Sequence, residues 1–294
     1  LVNELKKDVG LLNSGKNVRI MEVCGGHTHT IFKYGLEQLL PKEIELIHGP
    51  GCPVCVLPMN KVDECVLLAE EKQVILTTFG DAIRVPGSKK SLLQAKAEGA
   101  DIRIVYSPMD ALDIASRNPD KDVVFFALGF ETTMPSTALT IQEAKKRQIL
   151  NFSILCNHIT IPQTLKALLD TDNLNLDAFI GPGHVNMIIG TEVYDFIVNK
   201  YKKPIVVSGF EPLDILQSLS MLIKQLIENR CEIENQYKRV VSKEGNIIAQ
   251  EAINDVYMIK EFSEWRGLGL IPESGVKLRN EYKFYDAEKK YYLK

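Results

Sequence analysis

The sequence predicts an α/β fold, with two related lobes of mainly parallel sheet flanked by helices and a helical C-terminal extension. Short apolar runs recur along the chain, most of them close on Gly, Pro, Asn or Ser, and helical patterns usually intervene. That is how strands buried in a parallel sheet read. The length, 294 residues, suffices for two or three domains and a sizeable core. An internal echo completes the case. Cys24 stands 25 residues before the Gly49 of a "GPG", and "FGD" follows at 79–81; Cys156 stands 25 residues before the Gly181 of another "GPG", and "GFE" follows at 209–211. Three landmarks in one order at near-equal spacing suggest a repeated unit.

Eight runs carry the strand expectation, at 18–23, 44–49, 73–80, 101–108, 123–130, 152–157, 178–183 and 204–210. In 60–73, Val62, Cys65, Val66 and Ala69 mark one apolar helix face behind an Asn60 cap. A further helix is expected to open near Pro135, and another to run through "LDILQSLSMLIKQLIENR". Taking the strands as two groups of four places one lobe at 1–115, a second at 116–228 and the extension at 229–294. Two lobes imply a cleft. Ligands of open α/β sheets gather outside the carboxyl ends of the strands, where "CGGHTHT", "GPGCPVC", "GFETT", "CNHIT", "GPGH" and "SGFEP" would all lie.

A formal net charge of −3, with 25% charged and 45% hydrophobic residues, gives no basic field for nucleic acid. No uncharged apolar run approaches the roughly 18 residues that cross a bilayer, and the N-terminus lacks the features of a signal peptide, so a cytoplasmic protein is expected. The first residue is Leu1 rather than Met, which suggests a fragment. Six cysteines are too sparse for a disulfide scaffold. In a reducing compartment, cysteines gathered near histidines point to metal or redox chemistry, and Cys24, Cys52 and Cys55 are so placed.

In "GPGCPVC" the Cys-x-x-Cys spacing brings Cys52 and Cys55 within reach of a reversible disulfide, and a helix starting just after it would favour the thiolate. In "CGGHTHT" Gly25 and Gly26 allow close backbone approach to a ligand, while Cys24, His27 and His29 offer a soft thiolate and two imidazoles suited to iron, zinc or copper. Zinc would need a second pair beside Cys52 and Cys55, which Cys24 with His27 or His29 could supply. In "GFETTMPSTALT" Thr132 and Thr133 lie near a helix start that could hold an anion, orient the Glu131 carboxylate or serve only as a cap. "FGDAIRVPGSKKS" lacks the Walker spacing, and no dinucleotide G-x-G-x-x-G follows a strand. His158 and His184 would line the cleft or be structural; Cys65 lies on an apolar face and Cys231 stands alone.

Together "MEVCGGHTHTIFKYGLEQLLP", "IELIHGPGCPVCVLP", "TTFGDAIRVPGS", "ALGFETTMPSTA", "NHITIPQ", "FIGPGHV", "SGFEPLDIL" and "EWRGLGLIPESG" resemble the HypD family of hydrogenase maturation proteins, in order from about residue 15 to the end. The pairing of CGGHTH with GPGCPVC is highly specific to it. The resemblance implies a scaffold on which the Fe(CN)2CO unit of [NiFe]-hydrogenases is assembled with the chaperone HypC, receiving cyanide from HypE. Carried onto this sequence, Cys24 would ligate iron with a second thiolate from HypC, His27 would shape or ligate the same site, and Cys52 with Cys55 would be the redox dithiol. Gly25, Gly26 and His29 would border the bound unit, and Glu131 would support it or handle protons. The resemblance also implies a [4Fe-4S] cluster in a cysteine-rich C-terminal region; no cysteine follows Cys231 here, so its four ligands are not in this chain. The rival readings are a zinc- or thiol-dependent oxidoreductase or hydrolase, and an interaction protein with structural zinc.

Overall fold

The computed structural model describes residues 1–12, 17–171 and 174–293. In chain order the first elements are α1 (Val2–Val9), β1 (Val18–Glu22), α2 (Gly25–Lys33), α3 (Leu36–Leu39), β2 (Ile44–His48), α4 (Met59–Glu70), β3 (Val74–Thr78), α5 (Leu92–Ala97) and β4 (Ile102–Ile104). There follow α6 (Pro108–Arg117), β5 (Asp122–Gly129), α7 (Met134–Lys146), β6 (Phe152–His158), α8 (Ile161–Leu169), β7 (Ala178–Pro182), α9 (Gly183–Ile189), α10 (Asp195–Asn199), β8 (Ile205–Ser208) and α11 (Pro212–Ile227). The chain continues through β9 (Ile233–Asn235), α12 (Ile247–Val256), β10 (Tyr257–Ile259), β11 (Phe262–Trp265), β12 (Gly269–Pro272), β13 (Val276–Leu278) and α13 (Ala287–Lys290). All eight expected strands are present.

Two compact units share these elements. The first comprises Leu1–Cys52 with Thr164–Ile247, the second Pro53–Gln163 with Ile248–Lys294. The first holds a parallel sheet in the order β2-β1-β7-β8-β9. One face of it packs Val18, Ile20, Ala178, Ile180 and Val206 against Leu5 and Val9 of α1, Ile31 of α2 and Ile215, Leu219, Leu222 and Ile223 of α11. The second unit holds a parallel sheet in the order β4-β3-β5-β6, with apolar residues on both faces. Residues 123–129 of β5 are all buried, so its near-continuous apolar run leaves no solvent face to decorate. Two small antiparallel pairs, β10 with β13 and β11 with β12, belong to the same unit.

The grouping differs from the lobes 1–115 and 116–228. Strands β1 and β2 join β7 to β9, and β3 to β6 form the other sheet. The expected extension 229–294 also divides, its first part in one unit and residues from Ile248 in the other, and strands β10 to β13 interrupt its helical character. The echo is therefore not a repeat boundary, since Cys24 and Gly49 fall in the first unit while "FGD" at 79–81 falls in the second. What the units do share is topology: counted within each sheet, the first four strands run in the order 2-1-3-4. A parallel sheet has no use for chain contiguity, because every strand is reached by a crossover anyway.

Local sequence fixes the helix starts. Ser107 and Asp110 form a capping box on α6, with Pro108 in its first turn. Helix α7 opens one residue before Pro135, and α4 presents Val62, Cys65, Val66 and Ala69 to the core. The cap of α4 is Pro58, one residue before Met59, and Asn60 instead bonds Glu264. Strand order reverses between β1 and β7 in one sheet and between β3 and β5 in the other, the places where open α/β sheets bind ligands.

Candidate functional site

At the reversal point of the first sheet, β1 ends at Glu22 and the chain turns through Cys24 into α2. Cys24 is the N-cap, extended at φ −160° and ψ 126°, and its carbonyl accepts the N–H groups of His27 (2.9 Å) and Thr28 (3.2 Å). Beside it the loop leaving β2 lies against the same turn: Gly25 N–H donates to the Gly51 carbonyl at 3.0 Å. A Cβ on Gly51 would stand 2.3 Å from the Cys24 nitrogen, so only glycine lets these two segments meet. Cys52 follows at once, its Cβ 3.5 Å from where a Gly25 side chain would begin. Cys24 and Cys52 are half-buried neighbours at one sheet edge. Burial pushes the Cys24 thiol up to about 11, and the nearby Glu22 and Cys52 add to it against the lowering by the Gly26 and His27 N–H groups. The isolated thiol is thus protonated at neutral pH, and a metal must displace that proton to bind.

His27 is fully buried on the first turn of α2. Its Nε2–H donates to the carbonyls of Gly209 (3.0 Å) and Ser208 (3.3 Å), and burial lowers its pKa to about 4, so the ring is neutral. Nδ1 is buried and makes no hydrogen bond among the described residues, leaving the one lone pair with which His27 could ligate. Phe210 stacks on His27 at 4.7 Å between centroids and on His184, at the start of α9, at 3.7 Å. The same ring sits 2.8 Å from where a Gly26 Cβ would be, so at Gly26 the close approach is made by Phe210. His29 is exposed.

Sequence reasoning passed over Glu22 and His48. Glu22 has no exposed surface, and its carboxylate accepts Cys24 N–H (2.9 Å), His48 Nδ1–H (2.7 Å) and the Thr28 hydroxyl. The signal was present as an ionisable residue inside the apolar run "VRIMEV" and a histidine ending "IELIH". Only strand register, Glu22 opposite His48, reveals that they meet.

Cys55 and Glu131 belong to the second unit. Cys55 is exposed in a turn, and α4 starts only at Met59, so the expected helix does not begin directly after the motif. Pro58 delays it, since the residue before Met59 is held extended at φ −61° and ψ 143°. Glu131 follows β5 at that sheet's reversal point. It is buried, Oε1 accepts Ile161 N–H at 3.0 Å, Oε2 makes no hydrogen bond among the described residues, and burial pushes its pKa up to about 7. Thr133 caps α7 by position without a side-chain cap bond. His158, also buried, has its pKa lowered to about 3 by burial and packs edge-on to Tyr257. Among the described residues no three His, Cys, Asp or Glu side chains cluster as a metal site.

Comparison with known proteins bears on what this turn serves. The family described as "Hydrogenase formation hypA family" (HypD) matches residues 1–294. The chain belongs to the HypD family. It is 59% identical over 271 residues to the hydrogenase maturation factor HypD of Escherichia coli (strain K12), covering 92% of this chain and 73% of that protein. To HypD of Rhodobacter capsulatus it is 59% identical over 276 residues, covering 94% and 73%. To HypD of Azotobacter vinelandii it is 49% identical over 284 residues, covering 95% and 75%. As a HypD-family protein it is a hydrogenase maturation factor, and among the described residues no helix is long and apolar enough to cross a membrane.

Proposed function

We propose that the chain is a cytoplasmic scaffold on which the Fe(CN)2CO unit of [NiFe]-hydrogenases is built, with HypC supplying a second thiolate and HypE the cyanide. The observation that carries this reading is the Cys24 turn. It presents a half-buried thiol at the reversal point of a parallel sheet, with Cys52 beside it and the backbone held from two sides. Iron carrying cyanide and carbon monoxide favours soft thiolate donors. A site offering Cys24 from one chain and leaving other positions to partners suits a cargo that must be handed on.

Cys52 and Cys55 are proposed as the reductant. A thiocyanate carrier, R–S–CN, yields RSH and cyanide when a dithiol supplies two electrons and becomes a disulfide, releasing one net proton. His27 supports the iron site through its neutral ring. Gly25, Gly26 and the exposed His29 border it, and Glu131, with a pKa near 7, suits proton handling. A [4Fe-4S] cluster is proposed for the family's cysteine-rich region; Cys231 is the last cysteine of this sequence.

Co-expression with HypC and the cyanide-supplying proteins, followed by infrared spectroscopy, tests the reading. Cyanide and carbon monoxide bands on the purified complex that vanish in Cys24→Ala support it. Bands that persist in Cys24→Ala, or stoichiometric zinc in the isolated chain whose removal unfolds it, would overturn it.

A further inference from the structure

We propose that Glu22 is the positioning residue of the Cys24 turn and that His48 acts through it, an assignment that rests on Cys24 as the iron ligand. Glu22 is wholly buried at the end of β1, two residues before Cys24, and its carboxylate is shared among three donors. Oε2 takes the Cys24 N–H at 2.9 Å; Oε1 takes His48 Nδ1–H at 2.7 Å together with the Thr28 hydroxyl. A buried carboxylate contributes little to stability that a well-packed apolar side chain would not supply, but the hydrogen bonds it accepts fix the geometry of their donors. Here the geometry fixed is the backbone of Cys24. Glu22 holds its N–H, the first turn of α2 holds its carbonyl, and Gly51 holds the next N–H.

His48 is itself oriented from outside. Its ring lies 5.1 Å from that of Phe32, and Nε2 is 3.9 Å from the Glu37 carboxylate. With Nδ1–H committed to Glu22, the imidazole is a brace between the surface and the buried carboxylate, comparable to the outer groups that orient metal ligands. Thr28, one turn into α2, ties the same oxygen to the helix that Cys24 caps.

The alternative is an ion pair that only stabilises the sheet edge, and isosteric variants separate the two. Glu22→Gln keeps shape but turns an NH2 group toward one of the three donors. His48→Asn places an amide N–H near the position of Nδ1, whereas His48→Leu removes it. In the full chain, co-expressed as above, Glu22→Gln and His48→Leu should weaken the infrared bands by about tenfold or more with unchanged circular dichroism, and His48→Asn should restore them. Parental bands in Glu22→Gln or His48→Leu, or equal loss in His48→Asn and His48→Leu, would overturn the proposal. Persistence of the bands in Cys24→Ala would instead overturn the iron-ligand reading. A measurement on the unmodified protein stands apart from folding of the variants: the 15N resonance of His48 Nδ1 should be that of a protonated, hydrogen-bonded nitrogen, and an unprotonated Nδ1 sinks the proposal.

Discussion

Single residues at the two reversal points differ in what burial does to them. Cys24 keeps its proton until a cation arrives, with burial holding its pKa near 11, so Cys24→Ala should abolish iron in the complex while leaving the fold intact, as metal analysis beside a thermal melt would show. Glu131 is the residue whose ionisation the fold most clearly resists. Its folded pKa of about 7 lies above the ordinary value of 4.5, so the folded state binds the extra proton between these values and stability falls as pH rises through them. Above pH 7 the full cost, on the order of 3 kcal/mol, is present; below 4.5 it is absent. Glu131→Gln keeps an acceptor for Ile161 N–H and should gain stability over the parent at pH 8 but not at pH 4, read from urea midpoints. His27 and His158 work in the opposite sense, since their folded values near 4 and 3 lie below 6.5 and stability is lost as pH falls through that window. The candidates Cys24, His27 and Cys52 were legible as residue types at unusual spacing. That His27 is buried with Nε2 bound to backbone carbonyls, while His29 faces solvent, was not, because two residues are about half a helix turn, enough to separate inside from outside, and the "HTH" spacing does not say which histidine turns in.

Elements set how tightly the site is held. The loop after β2 and the turn after β1 touch backbone to backbone at Gly51, where an added methyl would meet the Cys24 nitrogen at 2.3 Å and cannot be relieved by a rotamer. Gly51→Ala should cost roughly 2 to 4 kcal/mol and weaken iron loading together with stability, checked by urea denaturation and metal content on the same preparation. At α6, by contrast, Ser107→Ala removes a capping box far from Cys24 in sequence; it should cost about 1 kcal/mol and leave iron loading unchanged. Element type was readable because a buried parallel strand leaves a run of apolar residues and a cap leaves Ser, Asp or Pro at a fixed offset. Element ends were less so. The helix after Cys55 begins past "VLP" because Pro58 is extended, which moves the dipole away from the thiol that the motif alone would place beside it.

Across the whole chain, the second unit depends on its last segment. Val256, Tyr257, Val276, Leu278, Tyr282 and Tyr285 pack on one face of the sheet made by β3 to β6. A chain stopping at residue 247 loses all six, roughly 9 to 18 kcal/mol of apolar burial at about 1.5 to 3 kcal/mol for a large side chain, comparable with the entire stability of a domain. Such a truncation should leave residues 53–163 sensitive to protease while residues of the first unit resist; equal resistance of both would refute this. The sequence by itself determined the α/β class, the eight main strands, the parallel sheets and the cysteine and histidine motifs, because burial and backbone geometry write themselves locally as apolar runs, caps and glycines. Only the tertiary structure decided which strands share a sheet, that the Cys-x-x-Cys motif spans the division between units at Cys52 and Pro53, and that Glu22 meets His48 beneath Cys24. Strand order and register arise from contacts between segments distant in sequence, and an apolar run carries no mark of its neighbour.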